Sequence, residues 1–288
     1  MLRLLIPTGS GYTWLEHAPP APFPDEFLWA DLFEPTQAEE KAVEALLTVD
    51  VPTRDEMREI ETSNRLYEEN GAVYMTATVG SKLDSDNPES SPITFILANN
   101  RLITTRYVDP TPVRRFMSYV ERSPIACTSS ATLLAGLLEA FIERMADVLE
   151  KVQLELDAIS LTIFPRHNGE SPTNRDLQAM IQKIGINGDL ISKARESLVS
   201  FQRLLMYVQQ ASNVTLSKDQ AGRFKSTLRD VQSLSDHASF LGGKIQFLLD
   251  AVLGLINLEQ NNIIKIFSVV AVMFLPPTLI ASIYGMNF

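Results

Sequence analysis

The chain has one cysteine, Cys127, in 288 residues, so no disulfide can close within it and cystine-stapled folds are excluded. Histidine is equally scarce. His17, His167 and His237 are scattered, and none stands at metal-ligand spacing with Cys127 or another histidine. No phosphate-cradling glycine loop, nucleophile elbow or pair of catalytic carboxylates stands out, so the sequence does not read as an enzyme. Glycine (13) and proline (16) are not enriched, and 45% hydrophobic residues is an ordinary share, which excludes a disordered chain. Positive charge is short: 25 Lys and Arg against 35 Asp and Glu leave a net −10, which argues against nucleic acid or an anionic lipid surface as a partner. The opening run Met1 to Pro7 is too short for a signal peptide, so the large N-terminal part is expected to stay in the cytoplasm.

Residues 1–127 read as a mixed α/β domain. Leu28 to Leu32 is a short strand. Thr36 and Glu39 form a capping box that opens a helix carrying Val43, Leu46 and Leu47. Thr53 and Glu56 repeat the device. Asn70-Gly71 joins Arg65–Tyr67 to Val73–Val79 in one hairpin, and Asn99-Asn100 joins Ile93–Leu97 to Leu102–Arg106 in another. Lys82 to Ser91 is a polar loop, and Pro112 to Glu121 a short helix.

The period then changes. Leu134, Leu138, Phe141, Met145, Val148, Val152, Leu156, Ile159 and Ile163 recur at threes and fours. After turn residues from Pro165 to Pro172, a second stripe runs from Leu177 to Val208; residues 128–215 thus read as two long antiparallel helices. A third helix begins near Ser217 and nothing stops it before the apolar run, so residues 216–262 form a stalk continuous with a span at 263–285. That rod of about 65 to 70 residues would be roughly 100 Å long. Gly242-Gly243 within it reads either as close packing at a subunit contact or as a flexing point. The row Glu139, Glu143, Asp147 and Glu150 reads as a wet helix face, or less simply as a reservoir for cations.

Ile266 to Tyr284 carries no charge and, at about 19 residues, is near the ~20 needed to span a hydrocarbon core. It is the only such run in the chain. Lys265 can snorkel at its edge, and Pro276-Pro277 interrupts it, which is expected to bend the helix. Asn261, Ser268, Leu275, Thr278 and Ser282 share one helix face with Ile264 and Ala271. Such a face lines a pore in a ring of helices, or serves as polar glue between packed helices.

The stretch Gln260 to Phe288, with its Phe-Leu-Pro-Pro-Thr and closing Tyr-Gly-Met-Asn-Phe, resembles the first membrane helix of the CorA family of divalent-cation transporters, most closely the bacterial magnesium transporters. Trp29 to Pro35, Pro52-Thr53-Arg54 with Ile60-Glu61, and Leu228 to Val231 resemble family positions upstream. The resemblance implies an α+β cytoplasmic domain, coiled-coil-like helices and a homopentamer in the inner membrane. It also implies a second membrane helix, which this sequence does not carry beyond residues 285–288. It further implies that Gly285, Met286 and Asn287 form the ion entrance, reading Mg²⁺ with its water shell because that ion dehydrates reluctantly. Asn287 would supply amide oxygen and Gly285 carbonyl oxygen, while Met286, a poor ligand for a hard cation, would pack. Asn261, Ser268 and Thr278 would line the pore. Ile264, Phe267, Ala271 and Leu275 would form a hydrophobic gate, although Phe267 reads equally as a packing residue. Asp250 falls where the family binds regulatory Mg²⁺ between subunits, or is a solvated helix charge; Asp84 and Asp86 are its candidate partners.

Magnesium is thus the expected cargo, with Co²⁺ and Ni²⁺ possible passengers, lipid and further copies of the chain as partners, and no organic cofactor. Two other readings stay open: a zinc transporter of the same superfamily, and a tail-anchored coiled-coil scaffold that transports nothing.

Overall fold

The computed structural model describes residues 1–9, 11–85, 87–123, 128–165 and 172–285. Seven strands, β1 (Leu2–Thr8), β2 (Gly11–His17), β3 (Trp29–Phe33), β4 (Leu66–Glu69), β5 (Ala72–Ser81), β6 (Glu89–Ala98) and β7 (Arg101–Arg106), make one sheet in the order β2-β1-β3-β7-β6-β5-β4. Only β3 and β7 pair in parallel. The two Asn-containing turns behave as their chemistry demands: Asn70 and Gly71 (φ 50° and 79°) and Asn99 and Asn100 (φ 50° and 60°) take the left-handed conformations of tight hairpins.

The β1–β2 hairpin is absent from the expectation drawn from sequence. Leu2–Thr8 forms the interior strand β1, and Pro7, opposite Tyr12, lies beyond the residues that pair with β3, so its missing N–H breaks no bond on that side. The helix α1 (Gln37–Leu47) opens with the expected capping box: Thr36 N–H donates to Glu39 Oε2 at 2.8 Å and Glu39 N–H to Thr36 Oγ1 at 3.4 Å. Thr53 and Glu56 make the same reciprocal pair, but it opens only a single 3₁₀ turn at Glu56–Arg58. Helix α2 (Thr62–Arg65) is one turn; α3 (Thr111–Arg122), α4 (Ser130–Ile163), α5 (Asn174–Val208) and α6 (Lys218–Tyr284) complete the chain.

The chain divides into two compact units, Met1–Gln153 with Asp189–Leu241, and Leu154–Gly188 with Gly242–Phe288; each long helix contributes to both. In the first unit Leu4, Leu32, Val43, Leu47, Tyr74 and Ile96 form a core between the sheet and α1. On the opposite face Phe95 meets Phe141 of α4 (6.4 Å between ring centroids), Phe141 meets Phe201 of α5 (5.3 Å), and Trp29 meets Phe116 of α3 (5.9 Å). Covered on both faces, all ten residues of β5 are buried. Each fully buried side chain of this kind stabilises the fold by about 1.5–3 kcal/mol.

A charged network is sealed inside this unit. Asp31 and Arg106 are 0% and 1% exposed, and the guanidinium grips the carboxylate through Nε (2.9 Å to Oδ1) and Nη2 (2.9 Å to Oδ2). Thr104 donates to Asp31 at 2.7 Å and accepts from Trp29 Nε1 at 2.9 Å, while Arg106 Nη1 donates to Val108 O and Asp109 Oδ1. The parallel β3–β7 register sets Asp31 opposite Thr104, which places these groups together.

In the second unit Phe164 stacks on Phe247 at 5.8 Å, Lys244 pairs with Asp157, and Asn187 Nδ2 donates to Glu155. The architecture is the expected one: an α+β domain, long helices and one long apolar C-terminal helix.

Candidate functional site

Helix α6 begins at a capping pair, with Ser217 N–H donating to Gln220 Oε1 and Gln220 N–H to Ser217 Oγ. Its buried positions, Phe224, Val231, Ala238, Leu241, Leu248 and Val252, recur at threes, fours and sevens, the spacing of a narrow seam. Beyond Val252 no described residue of the helix is buried. The apolar end is bare: Phe267 is 70% exposed, Leu275 65% and Ile280 56%. Among the described residues α6 is the one helix long and apolar enough to cross a membrane, and none of that segment is buried within the chain.

The helix runs on through Pro276 and Pro277. Ser268 Oγ donates to Ile264 O at 2.8 Å and Thr278 Oγ1 to Phe274 O at 2.7 Å. Each hydroxyl has therefore spent its only proton inside the helix and presents lone pairs outward. At 3.6 residues per turn, Asn261, Ile264, Phe267, Ser268, Ala271, Leu275, Thr278 and Gly285 lie within about 120° of arc on α6. Gly285 closes the last turn, its N–H donating to Ala281 O at 2.9 Å. A Cβ there would stand 3.0 Å from that same carbonyl oxygen, which gives glycine a local reason. Met286 and Asn287 lie outside the described residues, as do Asp86, Cys127 and His167.

The proposed regulatory carboxylates have ordinary protein partners. Asp84 Oδ2 accepts from Arg144 Nη2 at 2.6 Å, and that bond holds its carboxyl below the usual carboxylate range. Asp250 is exposed and accepts from Gln246 Nε2 at 3.1 Å. No group of three metal-ligating side chains forms among the described residues. The acidic row of α4 is partly neutralised as well: Glu139 is gripped by Arg223 (3.0 and 2.5 Å), and Asp147 lies 4.0 Å from Arg144. Arg144 and Arg223 are the residues that sequence reasoning missed, because the carboxylates they bond most closely, Asp84 and Glu139, stand 60 and 84 positions away. His17 is buried against Phe23 (4.3 Å), and a Cβ on Gly242 or Gly243 would meet nothing within 4 Å, so packing within the chain does not require glycine there.

The family described as CorA-like Mg²⁺ transporter protein matches residues 24–288. The chain belongs to that family. It is therefore a member of a membrane-transport family and not of an enzyme family. Two curated relatives named magnesium transport protein CorA are similar to it, from Yersinia pseudotuberculosis (34% identical over 261 residues) and Escherichia coli K12 (33% over 261). Each alignment covers 91% of this chain and 80% of the relative. The CorA magnesium transporter structure from Methanocaldococcus jannaschii superposes with a TM-score of 0.77 at 18% identity, over 100% of this chain and 87% of that one. At that identity the likeness speaks for the fold, which the CorA-like chain shares from its sheet to its apolar helix.

Proposed function

We propose that copies of this chain, five by family resemblance, gather around their α6 spans and pass hydrated Mg²⁺ across the bacterial inner membrane, with the N-terminal domain in the cytoplasm. One observation carries the reading: an uncharged, wholly exposed span on which the Ser268 and Thr278 hydroxyls share one face and have already donated their protons. The waters around Mg²⁺ point hydrogens outward, so a wall of acceptors fits the hydrated ion, which is costly to strip. Asn261, Ser268 and Thr278 supply acceptors along the face. Ile264, Phe267, Ala271 and Leu275 narrow it with apolar groups that close by dewetting. At the outer end the Gly285 carbonyl and the Asn287 amide form the selective ring, dipoles strong enough to orient the ion's waters and weak enough to release them, with Met286 packing behind.

Cytosolic Mg²⁺ acts as the closing signal by bridging carboxylates between neighbouring chains, with Asp250 on α6 and Asp84 or Asp86 as the candidate groups. Asp84 already pairs with Arg144, so Mg²⁺ would compete there with a guanidinium. With a net −10 per chain, five copies repel one another, and ion binding offsets that repulsion.

Mg²⁺ uptake into liposomes carrying the transporter tests the reading. Asn287→Ala is expected to cut the rate at least about ten-fold, the loss of roughly 1.4 kcal/mol or more of ion recognition. Undiminished flux would overturn the selective ring. Zn²⁺ uptake by the unaltered protein without Mg²⁺ uptake would overturn the choice of ion.

A further inference from the structure

A cleft of about 570 Å³ lies within the first unit, between α3, α4 and the beginning of α6. Its volume is in the range of small-molecule sites. Packing and ion pairing hold part of its wall in place. Phe116, 6% exposed, lies so close over Gly136 of α4 that a Cβ on that residue would stand 2.7 Å from the ring. Glycine inside a helix costs about 1 kcal/mol against alanine, and here the close approach of that aromatic wall requires it. Tyr119 continues the wall, its ring 6.1 Å from Phe116 and 54% exposed. On the far side Arg223 is locked by its two bonds to Glu139, and Gln220 Nε2 holds the Thr132 hydroxyl at 3.0 Å.

Two lining charges are left over. Arg115 on α3 and Glu143 on α4 are exposed, and neither has a hydrogen-bond or ion-pair partner among the described residues; Arg115 acts on Asp84 only at longer range. The lining thus holds two cations, Arg115 and Arg223, and two anions, Glu139 and Glu143, with one pair already joined. A plain anion would meet Glu143 and a plain cation would meet Arg115. An uncharged apolar molecule would strip water from both without replacing it, which is unfavourable. We infer that the cleft binds a small zwitterion with an apolar body, the chemistry of a free aromatic or aliphatic α-amino acid. Its carboxylate meets Arg115, its ammonium meets Glu143, and its side chain lies against Phe116 and Tyr119.

Titration calorimetry on the detergent-solubilised full chain tests this with L-phenylalanine, 2-phenylethylamine, which lacks the carboxylate, and 3-phenylpropionate, which lacks the ammonium. Saturable binding of L-phenylalanine is expected, with each one-ended analogue at least ten-fold weaker. Arg115→Gln and Glu143→Gln are each expected to weaken L-phenylalanine binding at least ten-fold; both side chains are exposed, so the fold should not notice. Absence of saturable L-phenylalanine binding would overturn the site. Equal binding of either analogue, or unchanged binding in both variants, would overturn the zwitterion assignment. The analogue series needs no variant, so the outcome does not depend on how the substitutions fold.

Discussion

The α+β unit and the apolar end of α6 solve opposite problems. In the first, even charges are buried, and each of the groups around Asp31 and Arg106 finds its partner inside the chain. In the second, an uncharged helix exposes nearly everything it has, and the Ser268 and Thr278 hydroxyls bond to their own backbone. A region that pairs its buried charges internally is finished by folding. A region that makes few contacts of its own is finished by its surroundings, on the proposed reading lipid and further copies. Substitutions should therefore be read out differently in the two.

The largest effect is expected where a sealed charge loses its partner. Arg106→Met leaves Asp31 buried and unpaired, which should cost about 3–5 kcal/mol. Adding Asp31→Leu should return most of it. Both tryptophans, Trp14 and Trp29, belong to this unit, so denaturant unfolding followed by their fluorescence measures it selectively. If the single and double variants were equally unstable, the network would be worth more than its charges.

A smaller effect, of another kind, is expected on α6. Ile280 lies across the helix from the polar face and is 56% exposed. Ile280→Asp should raise the cost of membrane insertion by about 2.5–3.5 kcal/mol, while the tryptophan unfolding curve stays where it was. A shift of that curve would mean that the two regions are not separable.

The smallest effect is in acid. Glu68 accepts from the Ser212 backbone N–H at 2.9 Å, the main cause that holds its carboxyl below the usual range, and from Asn213 N–H at 3.1 Å. Asp84 is held low by Arg144. A carboxylate whose folded value is depressed stabilises fully above its unfolded value, about 4, and loses that contribution as pH falls through the lower folded value. Glu68→Gln and Asp84→Asn should each flatten the acid limb of the fluorescence titration, by lowering stability slightly at neutral pH and leaving it unchanged below the folded values. An unchanged acid limb would remove these bonds from the account of stability.

What could be read from sequence follows the reach of each interaction. Asn70-Gly71, Asn99-Asn100 and the Thr36–Glu39 box are local chemistry, legible in four residues. The seams of α4 and α6 are legible because a repeat announces itself over many turns. The β1–β2 hairpin was not legible: β1, interrupted only by Arg3 before Pro7, shows no sustained alternation, and β2 is a half-exposed strand at the sheet's edge. The partners of Asp84 and Glu139 were hidden by separation, 60 and 84 residues along the chain. At the site, the shared face of Asn261, Ser268 and Thr278 was visible in the spacing, but the direction in which two of its hydroxyls spend their hydrogen was not, and that direction bears on which ions the face suits.

Pro276 and Pro277 have a consequence for where the span can sit. Neither has an N–H, so the carbonyls of Val272 and Met273 lose the donors that an ordinary helix would give them. Hydrocarbon offers no replacement, and a bare carbonyl in it costs several kcal/mol. A lone helix ringed by acyl chains is thus a poor home for this segment; at that depth one flank has to be moist or touched by a neighbour able to give a hydrogen.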